Sequence, residues 1–320
     1  MTNRPFRLEG SRVFVAGHNG MVGSAVVRRL GQEQVESVLT VERNALDLRR
    51  QADVEAWFHA KQPDVVILAA ARVGGILANS RYPADFLYDN LAIQTAIIQS
   101  AAASGVRKLL FLGSSCIYPK MAPQPIPESA LLTGPLEPTN QWYAIAKIAG
   151  ILLCDAMRAQ HGHDFISAMP TNLYGPGDNY DLNSSHVIPA LIRKAITARE
   201  SGASEFVVWG SGTPLREFLH ADDLADALIF LLKHWSEAGP INVGSGMEVS
   251  ISELAELIAE LAGFRGSVQF DRTKPDGTPR KLMDSSRLAN LGWSPKTSLR
   301  DGLRQTIRDL PSGMFAEVAG

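Results

Sequence analysis

The chain has 320 residues, 45% of them hydrophobic, and a formal net charge of −2. That length suits one large domain or two coupled ones, and that composition suits a chain burying a sizeable core. The near-neutral charge excludes an electrostatic pull toward nucleic acid or anionic membranes. Cys116 and Cys154 are the only cysteines, so no disulfide framework is expected and a reducing, cytoplasmic setting fits. The first ten residues lack the apolar core of a leader peptide. The longest apolar stretch, 65–78, is interrupted by Arg72 and is too short for a membrane span.

In chain order, Val13, Phe14, Val15 and Ala16 form a short apolar run typical of a buried parallel strand. Gly17, Gly20 and Gly23 follow at a spacing of three, and Ala25, Val26 and Leu30 then recur at helical intervals. Strand, glycine turn and helix in that order predict a dinucleotide site. Gly17 permits the tight turn, Gly20 lets a diphosphate approach the backbone, and Gly23 lets helix and strand pack closely. Met21 and Val22 open the helix, whose first N–H groups and partial positive charge suit phosphate.

A second strand is expected at 35–41, a helix at 49–61, a third strand at 65–70, a helix at 82–104 and a fourth strand at 108–112. The fourth strand ends in Leu112-Gly113-Ser114-Ser115-Cys116. Six prolines between 119 and 138 predict a loop. A helix at 141–160 and a fifth strand at 165–169 follow. The alternation predicts a doubly wound parallel sheet of the Rossmann type, with ligands at the carboxyl ends of its strands. After Pro170 the pattern changes: a polar loop at 172–186, a helix at 187–200, a strand at 206–209, a helix at 221–234, a strand at 241–243, and helices at 253–262, 286–291 and 299–308. We therefore expect a dinucleotide-binding unit at 1–172 and 216–243. A smaller, discontinuous α/β substrate unit is expected at 173–215 and 244–320.

Tyr143 and Lys147 are four residues apart on the 141–160 helix, hence on one face. A phenol with an ordinary pKa of about 10 is a poor acid–base group near neutrality. A nearby ammonium and an oxidised nicotinamide would favour the phenolate, so that Tyr143 exchanges a proton with a substrate oxygen while hydride moves at carbon. Ser114 would hydrogen-bond the same oxygen. Asn90, mid-helix, is expected either to bridge the backbone and Lys147 through water or to face solvent.

The glycine turn with Ser114, Tyr143 and Lys147 resembles the extended short-chain dehydrogenase/reductase family, whose members work mostly on nucleotide sugars. Longer strings are similar to its GDP-L-fucose synthase members: Gly-His-Asn-Gly-Met-Val-Gly-Ser-Ala, Phe-Leu-Gly-Ser-Ser-Cys-Ile-Tyr-Pro-Lys, Pro-Thr-Asn-Leu-Tyr-Gly-Pro, Trp-Gly-Ser-Gly-Thr-Pro-Leu-Arg-Glu-Phe-Leu-His and Lys-Pro-Asp-Gly-Thr-Pro-Arg-Lys. The resemblance implies epimerisation at C3 and C5 of a GDP-4-keto-6-deoxy sugar, then reduction at C4 with NADPH. It implies that Ser114, Tyr143 and Lys147 serve reduction and that Cys116 and His186 exchange the α-protons. It implies that Lys194, Trp209 and Arg216, with Asp276 and Lys281, hold the GDP-sugar.

For the cofactor, NADP(H), the resemblance implies contacts from the glycine turn, Arg43, Asp47 and Leu48. Further contacts would come from Leu112, Gly113, Ser115 and Lys147, and from Pro170, Asn172, Leu173 and His186. No metal is expected, and the implied partners are the GDP-sugar and a second copy of the chain. One departure stands out: Asn19 occupies a place where this family more usually carries an arginine, and Glu42 sits beside Arg43. An acidic residue there suits a free 2′-hydroxyl.

The α-protons of a ketone are removable because the keto oxygen takes the charge, and Ser114 and Tyr143 donate to that oxygen. Inversion needs one group on each face of the sugar, with Cys116 expected as base and His186 as acid. Rival readings are a related GDP-4-keto sugar such as a 6-deoxy-heptose, a 4-epimerase or dehydratase, and a non-catalytic cofactor sensor. Dehydratases carry an Asp-Glu pair where this chain has Ser115-Cys116, and sensors usually lose the tyrosine or lysine.

Overall fold

The structure is a computed structural model that describes residues 5–182, 184–274, 276–311 and 313–315. The outer ends of the two expected units, 1–4 and 316–320, lie outside the described residues. The first half alternates as the apolar runs require: β1 (Arg12–Ala16), α1 (Met21–Leu30), β2 (Ser37–Leu39), α2 (Gln51–Lys61), β3 (Val65–Leu68), α3 (Ile76–Arg81), α4 (Pro83–Ala103), β4 (Lys108–Leu112), α5 (Gln141–His161) and β5 (Phe165–Pro170). The second half contains β6 (Asn172–Tyr174), α6 (Val187–Glu200), β7 (Glu205–Trp209), β8 (Leu215–His220), α7 (Ala221–His234), β9 (Pro240–Val243), β10 (Glu248–Ser250), α8 (Ile251–Leu261), β11 (Ser267–Asp271), β12 (Arg280–Lys281), α9 (Ser286–Asn290) and α10 (Leu299–Arg308).

Six strands form one parallel sheet in the order β2-β1-β3-β4-β5-β9. The chain runs outward from β1 to β2, then crosses to place β3 on the other side of β1. The switch point for ligand binding is therefore between β1 and β3. Successive side chains on a strand point to opposite faces. Val13 and Val15 accordingly join the core under α1 and α7, while Phe14 and Ala16 join the core under α2, α4 and α5.

A third apolar cluster, including Ile192, Phe206, Leu254, Ile258 and Leu303, fills the second half. There β7 pairs with β11, and β8 is flanked by β10, β12 and β6. No helix among the described residues is long and apolar enough to cross a membrane.

Two expectations need correction. The strand expected at 35–41 is only Ser37–Leu39, because the chain turns toward the cofactor site at once. The segment 215–220, where no element was expected ahead of the 221–234 helix, is a strand whose last four residues are all buried, so it lacks the alternation that marks a half-buried strand.

Candidate active site

The glycine turn closes β1, β3 and α1 onto one another. Gly17 has φ +89°, and a methyl group on it would lie 2.7 Å from Ala70 Cα. A methyl on Gly23 would collide with Gly17 O. A methyl on Gly20 would meet nothing nearer than that oxygen, at 3.5 Å, so the space over the start of α1 is open. No side chain caps α1 and no acidic residue occupies its first turn. The N–H groups of Met21 and Val22 thus face a cradle that suits a diphosphate.

Beyond β2, Glu42 accepts from Asn19 Nδ2 at 2.8 Å and lies 3.2 Å from His18 Nε2. Arg43 beside it is exposed and makes no ion pair among the described residues. Asp47 is committed to Arg49, which donates to it from Nη2 at 2.7 Å and Nε at 2.9 Å and holds its carboxyl down at about 2. Leu48 packs on the core beneath.

The carboxyl end of β4 carries the reacting groups. Ser114, extended at φ −162°, caps the short turn Ser115–Ile117 and accepts the N–H of Cys116 at 3.3 Å. Tyr143, in the first turn of α5, feels the Ser114 hydroxyl, which favours its phenolate. Lys147, one turn further on, is buried, donates to Leu112 O at 2.7 Å, and stands 5.8 Å from the Tyr143 ring centre. Burial pushes Lys147 down to about 7. Burial, and then the charge of Cys116, push Tyr143 upward. This corrects the expectation of a phenol drawn toward phenolate by its lysine. Desolvation moves both groups toward their neutral forms. A phenol that keeps its proton is a donor, which is what ketone reduction requires.

Asn90 neither meets Lys147 nor faces solvent. It is buried, accepts from Arg72 N at 2.9 Å, and donates to Arg72 O and Phe86 O. It pins the loop after β3. Gly113 packs against Met169, Ser115 is buried, and Asn172 donates to Glu217 O at 2.8 Å beyond Pro170. Leu173 packs on the core under α1 and α7.

Cys116 is half-buried and receives Asn140 Nδ2 at 3.2 Å and Lys281 Nζ at 3.7 Å. His186, exposed to solvent just before α6, is shifted below the ordinary imidazole range by desolvation and then by the Lys281 charge, a shift that its exposure tempers. Lys281 lies beside the Cys116 sulfur, where a GDP-sugar contact was expected, and its charge is felt at His186. Asn140 was not anticipated; its one sequence signal is its place just before the Tyr143 helix.

A second cluster surrounds Trp209, whose ring is half exposed and has Lys194 Nζ at 5.6 Å and Lys274 Nζ at 5.5 Å. Lys194 also donates to Val207 O, and burial lowers its pKa. Burial likewise lowers that of Arg216, with Asp276 opposing. Asp276 accepts from Ser211 N at 2.6 Å and Ser211 Oγ at 2.8 Å, so its carboxylate holds the turn that follows Trp209. An aromatic face flanked by cations can stack a base and draw in a diphosphate.

Residues 13–244 match the NAD dependent epimerase/dehydratase family. The chain is 63% identical to "GDP-L-fucose synthase 1" of Arabidopsis thaliana over 93% of its own length and 92% of the relative's. Among solved structures, a GDP-L-fucose synthetase from Naegleria fowleri bound to NADP superposes with a TM-score of 0.88 at 29% identity, covering 96% of each chain. A GDP-6-OMe-4-keto-L-xylo-heptose reductase from C. jejuni gives 0.88 at 32% identity, covering 95% of this chain and 98% of that one. With its glycine cradle, its Ser114–Tyr143–Lys147 set and these likenesses, the chain belongs to the NAD dependent epimerase/dehydratase family, among the GDP-L-fucose synthases.

Proposed function

We propose that the chain is a bifunctional 3,5-epimerase and NADPH-dependent 4-reductase that converts GDP-4-keto-6-deoxy-D-mannose to GDP-L-fucose. The observation that carries this reading is Cys116, two residues after Ser114 at the end of β4, receiving Asn140 Nδ2 at 3.2 Å and Lys281 Nζ at 3.7 Å, with Lys147 donating to Leu112 O at 2.7 Å on the same strand end. Bound NADPH supplies the hydride for C4. Gly17, Gly20, Gly23 and the first N–H groups of α1 hold its diphosphate, and Arg43 meets its 2′-phosphate.

Ser114 and Tyr143 donate to the C4 oxygen throughout. As Cys116 takes the proton from C3 or C5, the C–H electrons pass to the C4 oxygen as enolate charge, and His186 then gives a proton to the carbon on the opposite face, restoring the ketone. Tyr143 then gives its proton to the C4 oxygen as the ketone becomes an alcohol. Lys147 orients Tyr143 from below and fixes the end of β4 through Leu112 O. Lys194, Trp209 and Arg216 hold the GDP moiety, with Asp276 shaping the turn beside them.

The reading as a heptose-specific enzyme has the weaker support, because the heptose reductase shares about half the identity of the plant relative. We assign cofactor binding to 1–172 with 216–243 and sugar binding to 173–215 with 244–320. Most of the third apolar cluster supports that division, although Phe218 joins it from the first unit and Met283, Leu288 and Trp293 of the second join the cores of the parallel sheet. A homodimer is supported by exposed Trp142, Ile145 and Leu152, which recur at helical spacing on α5, with Tyr88 exposed on the neighbouring α4. A monomer in sedimentation would refute it. A cytoplasmic setting is supported by free Cys116 and Cys154.

The test is Tyr143→Phe. Loss of the proton donor should slow substrate-dependent NADPH oxidation by about 10²- to 10⁴-fold, while substrate still binds. Full activity in that variant would remove Tyr143 as the acid.

A further inference from the structure

A cysteine that removes a proton from carbon must do so as a thiolate, and an unassisted thiol with a pKa of about 8.5 is mostly protonated at neutral pH. Two donors from distant parts of the chain converge on Cys116 Sγ: Asn140 Nδ2 at 3.2 Å, 24 residues away, and Lys281 Nζ at 3.7 Å, 165 residues away. Asn140 occupies the first boundary position of α5, where an asparagine side chain ordinarily accepts an N–H of the first turn. It makes no such bond, and its Oδ1 has no partner among the described residues. The contact to sulfur is what orients this amide.

Lys281 is half-buried on β12. Its neighbour Arg280 is tied to Glu248 by hydrogen bonds of 2.8 and 2.9 Å, but Lys281 makes no ion pair among the described residues. A half-buried ammonium without a carboxylate, facing a sulfur, favours the anion of that sulfur.

We propose that Lys281 and Asn140 are positioning residues that hold Cys116 as a thiolate aimed into the site. This rests on the reading of Cys116 as the epimerising base. The same cation that favours the thiolate disfavours the imidazolium, and the Lys281 charge does press on His186. Tyr143 from α5 and Ser114 on its own turn act around the sulfur, while Arg216, in register with Lys281 on β8, has the charge of Asp276 acting on it. Neither Tyr143 nor Ser114 is an anion that would cancel the effect.

Iodoacetamide reads the proposal directly, because the thiolate displaces iodide and the thiol does not. Cys154 is fully buried, so alkylation of the intact protein reports Cys116. Lys281→Met should be alkylated about tenfold more slowly at pH 7, with its alkylation curve moved up by about one pH unit, as loss of a close opposite charge requires. Asn140→Ala should move it the same way, and Lys281→Arg should restore the wild-type curve. In heavy water with GDP-4-keto-6-deoxy-mannose, both limbs of the pH profile for deuterium incorporation should shift upward in Lys281→Met.

A raised KM with unmoved alkylation and exchange profiles would make Lys281 a substrate ligand only and overturn the inference. Should Lys281→Met fail to fold, an unmoved curve in Asn140→Ala does the same for the paired donor. Cys116→Ser separates the two readings: normal deuterium incorporation there refutes the base assignment itself. A silent Cys116→Ser together with an unmoved Lys281→Met refutes only the present proposal.

Discussion

Glu42 and Arg43 stand side by side after β2, the first held by Asn19 and His18 and the second free of ion pairs among the described residues. A guanidinium can pair with a phosphate through two charge-assisted hydrogen bonds, while a neighbouring carboxylate repels it. Arg43→Ala should therefore raise the KM for NADPH about 10- to 100-fold, the range for losing a hydrogen bond to a charged group, and barely change that for NADH. Steady-state kinetics with both cofactors checks this, and an unchanged KM for NADPH would rule Arg43 out as the phosphate ligand. Spacing was legible in the sequence where helix geometry fixes it: Tyr143 and Lys147 lie on one face of α5, with Lys147 Nζ 5.8 Å from the Tyr143 ring centre. Roles created by tertiary contact were not. Asn90 reads like any mid-helix asparagine until the loop at Arg72 folds against it. Lys281 reaches Cys116 only because β12 lies alongside β8.

The turn between β1 and α1 separates packing from binding within seven residues. A methyl on Gly23 has no room, so Gly23→Ala should destabilise the fold by about 1–3 kcal/mol, the usual range for overpacking. A methyl on Gly20 meets only open space, so Gly20→Ala should melt near the wild-type temperature yet bind NADPH poorly. Thermal melts with and without cofactor distinguish the two, and equal destabilisation by both would deny Gly20 its assigned part. Elements with a strong apolar signal were readable at this scale: β1, β3, β4 and β5 fall close to their expected bounds, as does α10, whose Leu299, Leu303 and Ile307 recur at helical spacing. The short strands β6, β8, β10 and β12 were not, because each is specified by its partners rather than by its own composition.

Across the whole molecule, two cores sandwich the parallel sheet while a third holds the second half together. The site lies where β1, β3 and β4 end and where α6 and β12 bring His186 and Lys281. On the proposed assignment, that convergence lets one site serve both proton exchange at C3 and C5 and hydride acceptance at C4. The fold class was evident from alternating strands and helices. The way the second half reaches over the first was not, since it depends on which strands pair across long intervals. The central claim is that one site performs both chemistries on a GDP-4-keto-6-deoxy sugar. Incubation with GDP-4-keto-6-deoxy-D-mannose and NADPH in heavy water, followed by NMR of the sugar nucleotide, tests it most directly. The account predicts GDP-L-fucose carrying deuterium at C3 and C5, with one NADPH oxidised per product. A 4-hydroxy sugar with unexchanged C3 and C5, or exchange without NADPH oxidation, would contradict it.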